Sequence, residues 1–236
     1  MLVMFDGEPS GLVRRESGAI SDKTRWIDML NPTAEEEKAV ESALKIDIPT
    51  REELQEIEAS SRLYQEDGAH FMTATLLTKI DQPWPVTSHV TFVLLKDKLV
   101  TIRYSEPYSF YMYAQRAMRN QIECNSASAV LVGLLEQVID RLADLIERMQ
   151  SDIDQLSVTV FSSESGRANG ERFDQALKTI GRMGDLTTRA RESLLSLHRL
   201  LTFYAYAADI RGDEKAIKTR IKTVSRDAAS LSEHIS

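Results

Sequence analysis

Carboxylates are the one reactive group this chain holds in excess, with 36 Asp and Glu against 29 Lys and Arg. They are also grouped. Glu52, Glu53, Glu56 and Glu58 crowd one short segment. Glu136, Asp140, Asp144 and Glu147 recur at helical spacing, which sets them along one face. Oxygen-rich clusters of this kind suit hard cations such as Mg2+, which keep much of their water shell and need no tight cage. The same stripe is also what the solvated face of an amphipathic helix presents. For Glu35, Glu36 and Glu37 the field at a helix start is reason enough.

Other chemistry is missing its parts. The histidines are His70, His89, His198 and His234, and no two stand at a zinc-protease spacing. Cys124 is the single cysteine, so it forms no intramolecular disulfide and no thiolate pair for zinc. It has no basic neighbour to activate it and reads as an inert thiol near a helix start. The chain shows no glycine-rich phosphate loop and no nucleophile elbow, so it is not expected to be an enzyme. The aromatic group at Tyr108, Phe110, Tyr111 and Tyr113 fits a ligand platform, or simply a short helix packed on a sheet.

A formal charge of −7 argues against nucleic acid as a partner. The charge is uneven: residues 171–236 hold 12 Lys and Arg against 9 Asp and Glu, whereas residues 1–170 hold 17 against 27. An acidic front and a basic rear suit cations at one end and an anionic surface at the other, and solvated faces would look the same. No basic leader precedes Asp6, and the most apolar run, at 130–135, is broken by Glu136 well short of a membrane span.

The elements that must position these groups fall into two kinds. Residues 2–5, 25–30, 69–80, 86–95 and 99–104 read as strands, the last two joined as a hairpin through Lys96, Asp97 and Lys98. Asn31 and Pro32 end the second strand, and Thr33 with Glu36 forms a capping box for a helix that buries Val40 and Leu44. The same device at Thr50 and Glu53 predicts a second helix, with Leu54 and Ile57 buried. A further helix is expected at 108–122, with Phe110, Tyr113, Ala117 and Met118 on one side.

From Asn125 onward the pattern is helical throughout. One seam runs through Leu131, Leu135, Val138, Leu142, Leu145, Met149, Ile153, Leu156 and Val160. After a Ser- and Gly-rich loop at 162–170, a second runs through Phe173, Ala176, Ile180, Met183, Thr187, Ala190, Leu194, Leu197, Leu201, Tyr204 and Ala208, a helix of about 60 Å. Gly212 turns the chain and Asp213 is expected to cap a third helix, whose seam is Ile217, Ile221, Val224, Ala228, Leu231 and Ile235. No Gly, Asn or Pro closes it, and the expectation is a helix that runs on past Ser236. The fold class expected is α/β: a layered α/β/α domain with a mixed central sheet at 1–124, a long antiparallel helical arm at 125–210, and the start of a stalk helix at 211–236.

Several segments, in order along nearly the whole chain, are similar to the cytoplasmic part of the CorA family of divalent-cation transporters. They are Trp26 to Thr33, Ile48 to Glu53 running on to Arg62, Val90 to Leu94 with Leu99 to Arg103, and Glu136 to Glu147 with Asp152 to Asp154. Ser225 to Asp227 and Leu231 to His234 complete the set. The resemblance implies an α/β domain, an antiparallel arm and a stalk that enters the membrane as the first of two spans, with a Gly-Met-Asn selectivity motif behind it. Neither span nor motif occurs here, so the resemblance implies a piece that is itself soluble, from the cytoplasmic side of a bacterial inner membrane. It implies a homopentamer in the full-length protein, with cations held by carboxylates between subunits in the closed state. Glu53 and Asp140 stand near two of the family's sensing positions, and on the stalk a basic or hydroxyl residue at 222–226 stands near the third, with the candidate Asp227 about a turn away. Mg2+ is the cation implied, weakly bound, with Co2+, Ni2+ or Zn2+ as alternatives. The segments at 31–33 and 50–62 look more like the magnesium and cobalt branch than the zinc branch. A coiled-coil scaffold that pairs with a partner protein is the competing reading.

Overall fold

The computed structural model describes residues 1–55, 58–80, 82, 85–161 and 169–235. Its centre is a seven-stranded mixed sheet. In chain order the strands are β1 (Leu2–Glu8), β2 (Gly11–Arg15), β3 (Thr24–Leu30), β4 (Leu63–Glu66), β5 (Ala69–Thr78), β6 (Val86–Leu94) and β7 (Leu99–Arg103), and their order across the sheet is β2-β1-β3-β7-β6-β5-β4. Among the described residues only β3 and β7 pair in parallel. The helices are α1 (Ala34–Leu44), α2 (Ala59–Arg62), α3 (Tyr108–Met118), α4 (Ala127–Phe161), α5 (Asn169–Arg211) and α6 (Lys215–His234).

Each face of the sheet has its own core. One gathers Met4, Ile27, Met29, Phe71, Val100 and Ile102 under Val40 of α1 and under Ile46, Ile48 and Leu54. The other gathers Trp26, Met72, Phe92 and Leu94 with apolar residues of α3, α4, α5 and α6. Alternation along each strand divides the side chains between the two, which is how one sheet serves both layers. The expected α/β layering and mixed sheet are present.

Thr33 caps α1 as the sequence predicts, its hydroxyl accepting from Glu36 N at 3.3 Å while the Glu36 carboxylate accepts from Thr33 N at 3.0 Å. The Thr50–Glu53 box also forms, at 2.7 and 3.3 Å, but a single 3-10 turn (Glu53–Gln55) follows it instead of the expected helix. A capping box marks where a first turn begins. Leu54 anchors this turn to the sheet. Ile57 lies outside the described residues.

Two strands escape the sequence reading. β2 is short and charged, and it begins at Gly11, whose backbone (φ +111°) comes so close to Ala117 O of α3 that no side chain fits. β4 is four residues long, with a half-buried first half and an exposed second. Because β4 begins at Leu63, opposite Met72, the rest of β5 has an open edge there. α5 closes it: Thr75 N donates to Ser196 Oγ at 2.9 Å and Leu77 N to Ser193 Oγ at 3.3 Å.

The long helices follow their seams only as far as they are covered. Leu131 to Met149 on α4 and Ala190 to Ala208 on α5 lie against the shared core. Ile153, Phe173 and Ile180, expected in the same seams, are 49%, 53% and 56% exposed. α6 reaches Gln150 through His234 (3.0 Å), and these three lie farther out along the arm. The loop expected at 162–170 falls outside the described residues at 162–168, and Asn169 already belongs to α5. α3 stops at Met118, one turn before the expected Ile122.

Candidate functional site

Two members of the α4 stripe, Glu136 and Asp140, lie beside the seam between α4 and α6. Ile217, Ile221, Val224 and Ala228 are buried against α4 and α5 of the same chain, so α6 lies lengthwise on the arm. Arg220 flanks this seam and forms a fork with Glu136 of α4, Nε to Oε1 at 2.8 Å and Nη2 to Oε2 at 2.6 Å, while Nη1 stands 3.5 Å from Glu123. Glu136 is therefore neutralised from within. The fork was not foreseen, although Arg220 beside Ile217 and Ile221 is the position from which a cation reaches a neighbouring helix.

Asp140 follows Glu136 by one turn. Burial, then the charges of Glu136 and Asp144, raise its pKa above the ordinary value, and Asp227 of α6 adds to this, while Arg116 pulls the other way. Asp144 is 4.0 Å from Arg141. The structure thus brings Asp140 and Asp227 to the same side of the α4–α6 seam. Glu53 sits elsewhere, in the turn on the other side of the sheet, where its carboxylate is occupied with Thr50 N and, at 3.0 Å, with Thr50 Oγ1. Among the described residues no group of three or more His, Cys, Asp or Glu has the geometry to hold a metal ion.

Asp213, expected to cap α6, does not. Glu214 occupies the cap position without a side-chain hydrogen bond, and Asp213 Oδ2 instead accepts from Ser128 Oγ at the start of α4 (2.7 Å). The reason is tertiary: Asp213 Oδ1 also faces Arg211 Nε at 3.4 Å, and Arg211 donates to Leu95 O and Lys96 O at the β6–β7 turn (2.9 and 3.1 Å).

A second polar chain crosses the sheet. Trp26 Nε1 donates to Thr101 Oγ1 (2.9 Å), Thr101 Oγ1 to Asp28 Oδ1 (2.8 Å), and Arg103 binds Asp28 through Nε and Nη2 (2.9 and 2.7 Å). It forms the floor of a cleft of about 520 Å³, at whose mouth Tyr108 and Tyr111 stand exposed with ring centroids 5.8 Å apart. Tyr113, in contrast, is buried edge-on to Trp26. Cys124 is buried, and burial pushes its thiol up, away from the reactive thiolate.

No helix among the described residues is long and apolar enough to cross a membrane. The family model described as CorA-like Mg2+ transporter protein matches residues 21–236. The chain is 30% identical over 238 residues to the magnesium transport protein CorA of Pasteurella multocida, covering 99% of this chain and 72% of that protein. Its fold is similar to the soluble domain of CorA from Methanocaldococcus jannaschii, with TM-score 0.68 at 12% identity, over 100% of this chain and 90% of that one. It is more distantly similar to the ZntB cytoplasmic domain from Vibrio parahaemolyticus, with TM-score 0.53 at 11% identity, over 99% and 95% of the two chains. The sheet, the arm, the α6 seam and the extent of the family match agree, and the chain belongs to the CorA-like Mg2+ transporter family.

Proposed function

We propose that this chain is the cytoplasmic, cation-sensing part of a Mg2+ transporter, in which divalent ions held weakly at acidic positions between subunits govern the gate. On this reading residues 1–124 form the α/β domain, 125–210 the arm and 211–236 the start of the stalk. Five copies assemble around the stalk helices at the membrane. The observation that carries the reading is the unbalanced charge at Asp140. Arg220 neutralises Glu136, while Asp140, whose pKa is raised, feels the charges of Glu136 and Asp144 and, more weakly, that of Asp227 across the α4–α6 seam. Ionised carboxylates so placed repel, and a divalent cation that binds one arrangement of α6 shifts the population toward it. Glu53, on the other side of the sheet, contributes only if a neighbouring subunit brings it to such a site. Mg2+ fits the all-oxygen donors best, and Co2+, Ni2+ or Zn2+ would compete for the same charge.

The test is calorimetric titration of the chain with Mg2+, run beside limited proteolysis at zero and millimolar metal. Weak binding that slows cleavage in α6 supports the reading. Cleavage indifferent to Mg2+, together with no heat above dilution, removes it.

A further inference from the structure

His70 is a buried titratable group that the cation reading leaves unused. It lies on β5, 4% exposed, on the sheet face covered by α5, with the Phe203 ring edge-on at 6.2 Å. Neither ring nitrogen makes a hydrogen bond of ordinary geometry. Its pairing partners, Gln65 on β4 and Leu94 on β6, are uncharged. The charged groups whose fields reach it are Arg211 and Asp213, at the corner between α5 and α6. That corner is tied to the sheet by Arg211, through Leu95 O and Lys96 O, and to α4 by Asp213, through Ser128, while Asp213 N to Ala208 O and Lys218 to Asp209 hold it from within.

We propose that His70 is a proton-operated latch on this corner, seated while neutral and unseating the end of α5 from the β6–β7 turn when protonated. His70 pairs with Leu94, the neighbour of the Leu95 whose carbonyl Arg211 binds, so a proton on this buried ring adds a second cation within the field of Arg211. The least costly relief is for Arg211 to leave its two carbonyls, which frees the start of α6. Burial, then Arg211, lowers the pKa of His70 from 6.5, against the pull of the Leu94 carbonyl and Asp213. The native state therefore binds fewer protons here than the unfolded chain does. Its stabilisation is complete above 6.5 and is lost as pH falls through the folded-state value.

The experiment is amide hydrogen exchange by mass spectrometry on the whole chain at about pH 7.5 and about pH 5, corrected for intrinsic rates. The expected result is a several-fold loss of protection at residues 203–217 at the lower pH, absent in His70→Phe. Equal protection at both pH values in the wild type overturns the latch, as does the same loss in His70→Phe. If that variant does not fold, NMR titration of the wild-type His70 ring decides. A midpoint below 6.5 accompanied by shifts at Arg211 supports the latch, and a midpoint at or above 6.5, or no shift at Arg211, overturns it.

Discussion

Glu136 and Arg220 lock α4 to α6 side by side, the carboxylate and guanidinium meeting through two hydrogen bonds of 2.8 and 2.6 Å. The two residues are 84 apart in sequence, as are Gln150 and His234 farther along, so the helices run parallel in constant register. Arg220→Ala should therefore loosen α6 along its length. It leaves Glu136 half-buried without its partner, at a cost of about 1–3 kcal/mol. A lower urea midpoint with an unchanged slope would confirm it.

Asp140 and Asp227 predict the opposite sign. The folded-state pKa of Asp140 is raised, so its ionisation disfavours the fold, and this penalty appears as pH rises through that value. Asp140→Asn should stabilise the metal-free chain at neutral pH and flatten its stability profile through the acid range. If Mg2+ binds here with a Kd of about 1 mM, then about 10 mM metal stabilises the wild type by about 1.4 kcal/mol. Asp140→Asn combined with Asp227→Asn should abolish that gain, and melting curves with and without metal measure it.

Gly133 is set by a close approach. A Cβ there would lie 2.5 Å from Cε2 of Tyr113, a ring pinned against Trp26. Gly133→Ala should cost about 1–3 kcal/mol through overpacking. Gly181 is the control, since a Cβ there meets nothing within 4 Å. Gly181→Ala should gain up to about 1 kcal/mol from helix propensity, and the two melting shifts should have opposite signs.

Ser193 and Ser196 close the open edge of β5. Removing either hydroxyl leaves a strand N–H buried and unsatisfied, at about 1–3 kcal/mol each. Exchange at the amides of Leu77 and Thr75, respectively, should accelerate in Ser193→Ala and Ser196→Ala, ahead of the rest of β5.

The sequence by itself determined whatever rests on neighbours within a few residues. The Thr33–Glu36 box, the Lys96–Lys98 hairpin, the strands with runs of buried apolar residues and the heptad spacing of the long helices are all local patterns, and each was legible. The acidic stripe on α4 was legible for the same reason. Tertiary structure decided what those patterns face. β2 and β4 are too short and too polar to announce themselves, and they exist because β1 and β5 offer them edges. The Thr50 box starts a turn at Glu53–Gln55 whose Leu54 packs under the sheet. Asp213 had the residue type of a cap but was drawn to Ser128 and Arg211, groups far away in sequence. Above all, no local signal told Arg220 from Asp227. Only the parallel docking of α6 on α4 places one against Glu136 and the other near Asp140, because contacts between helices depend on a register that the intervening fold imposes.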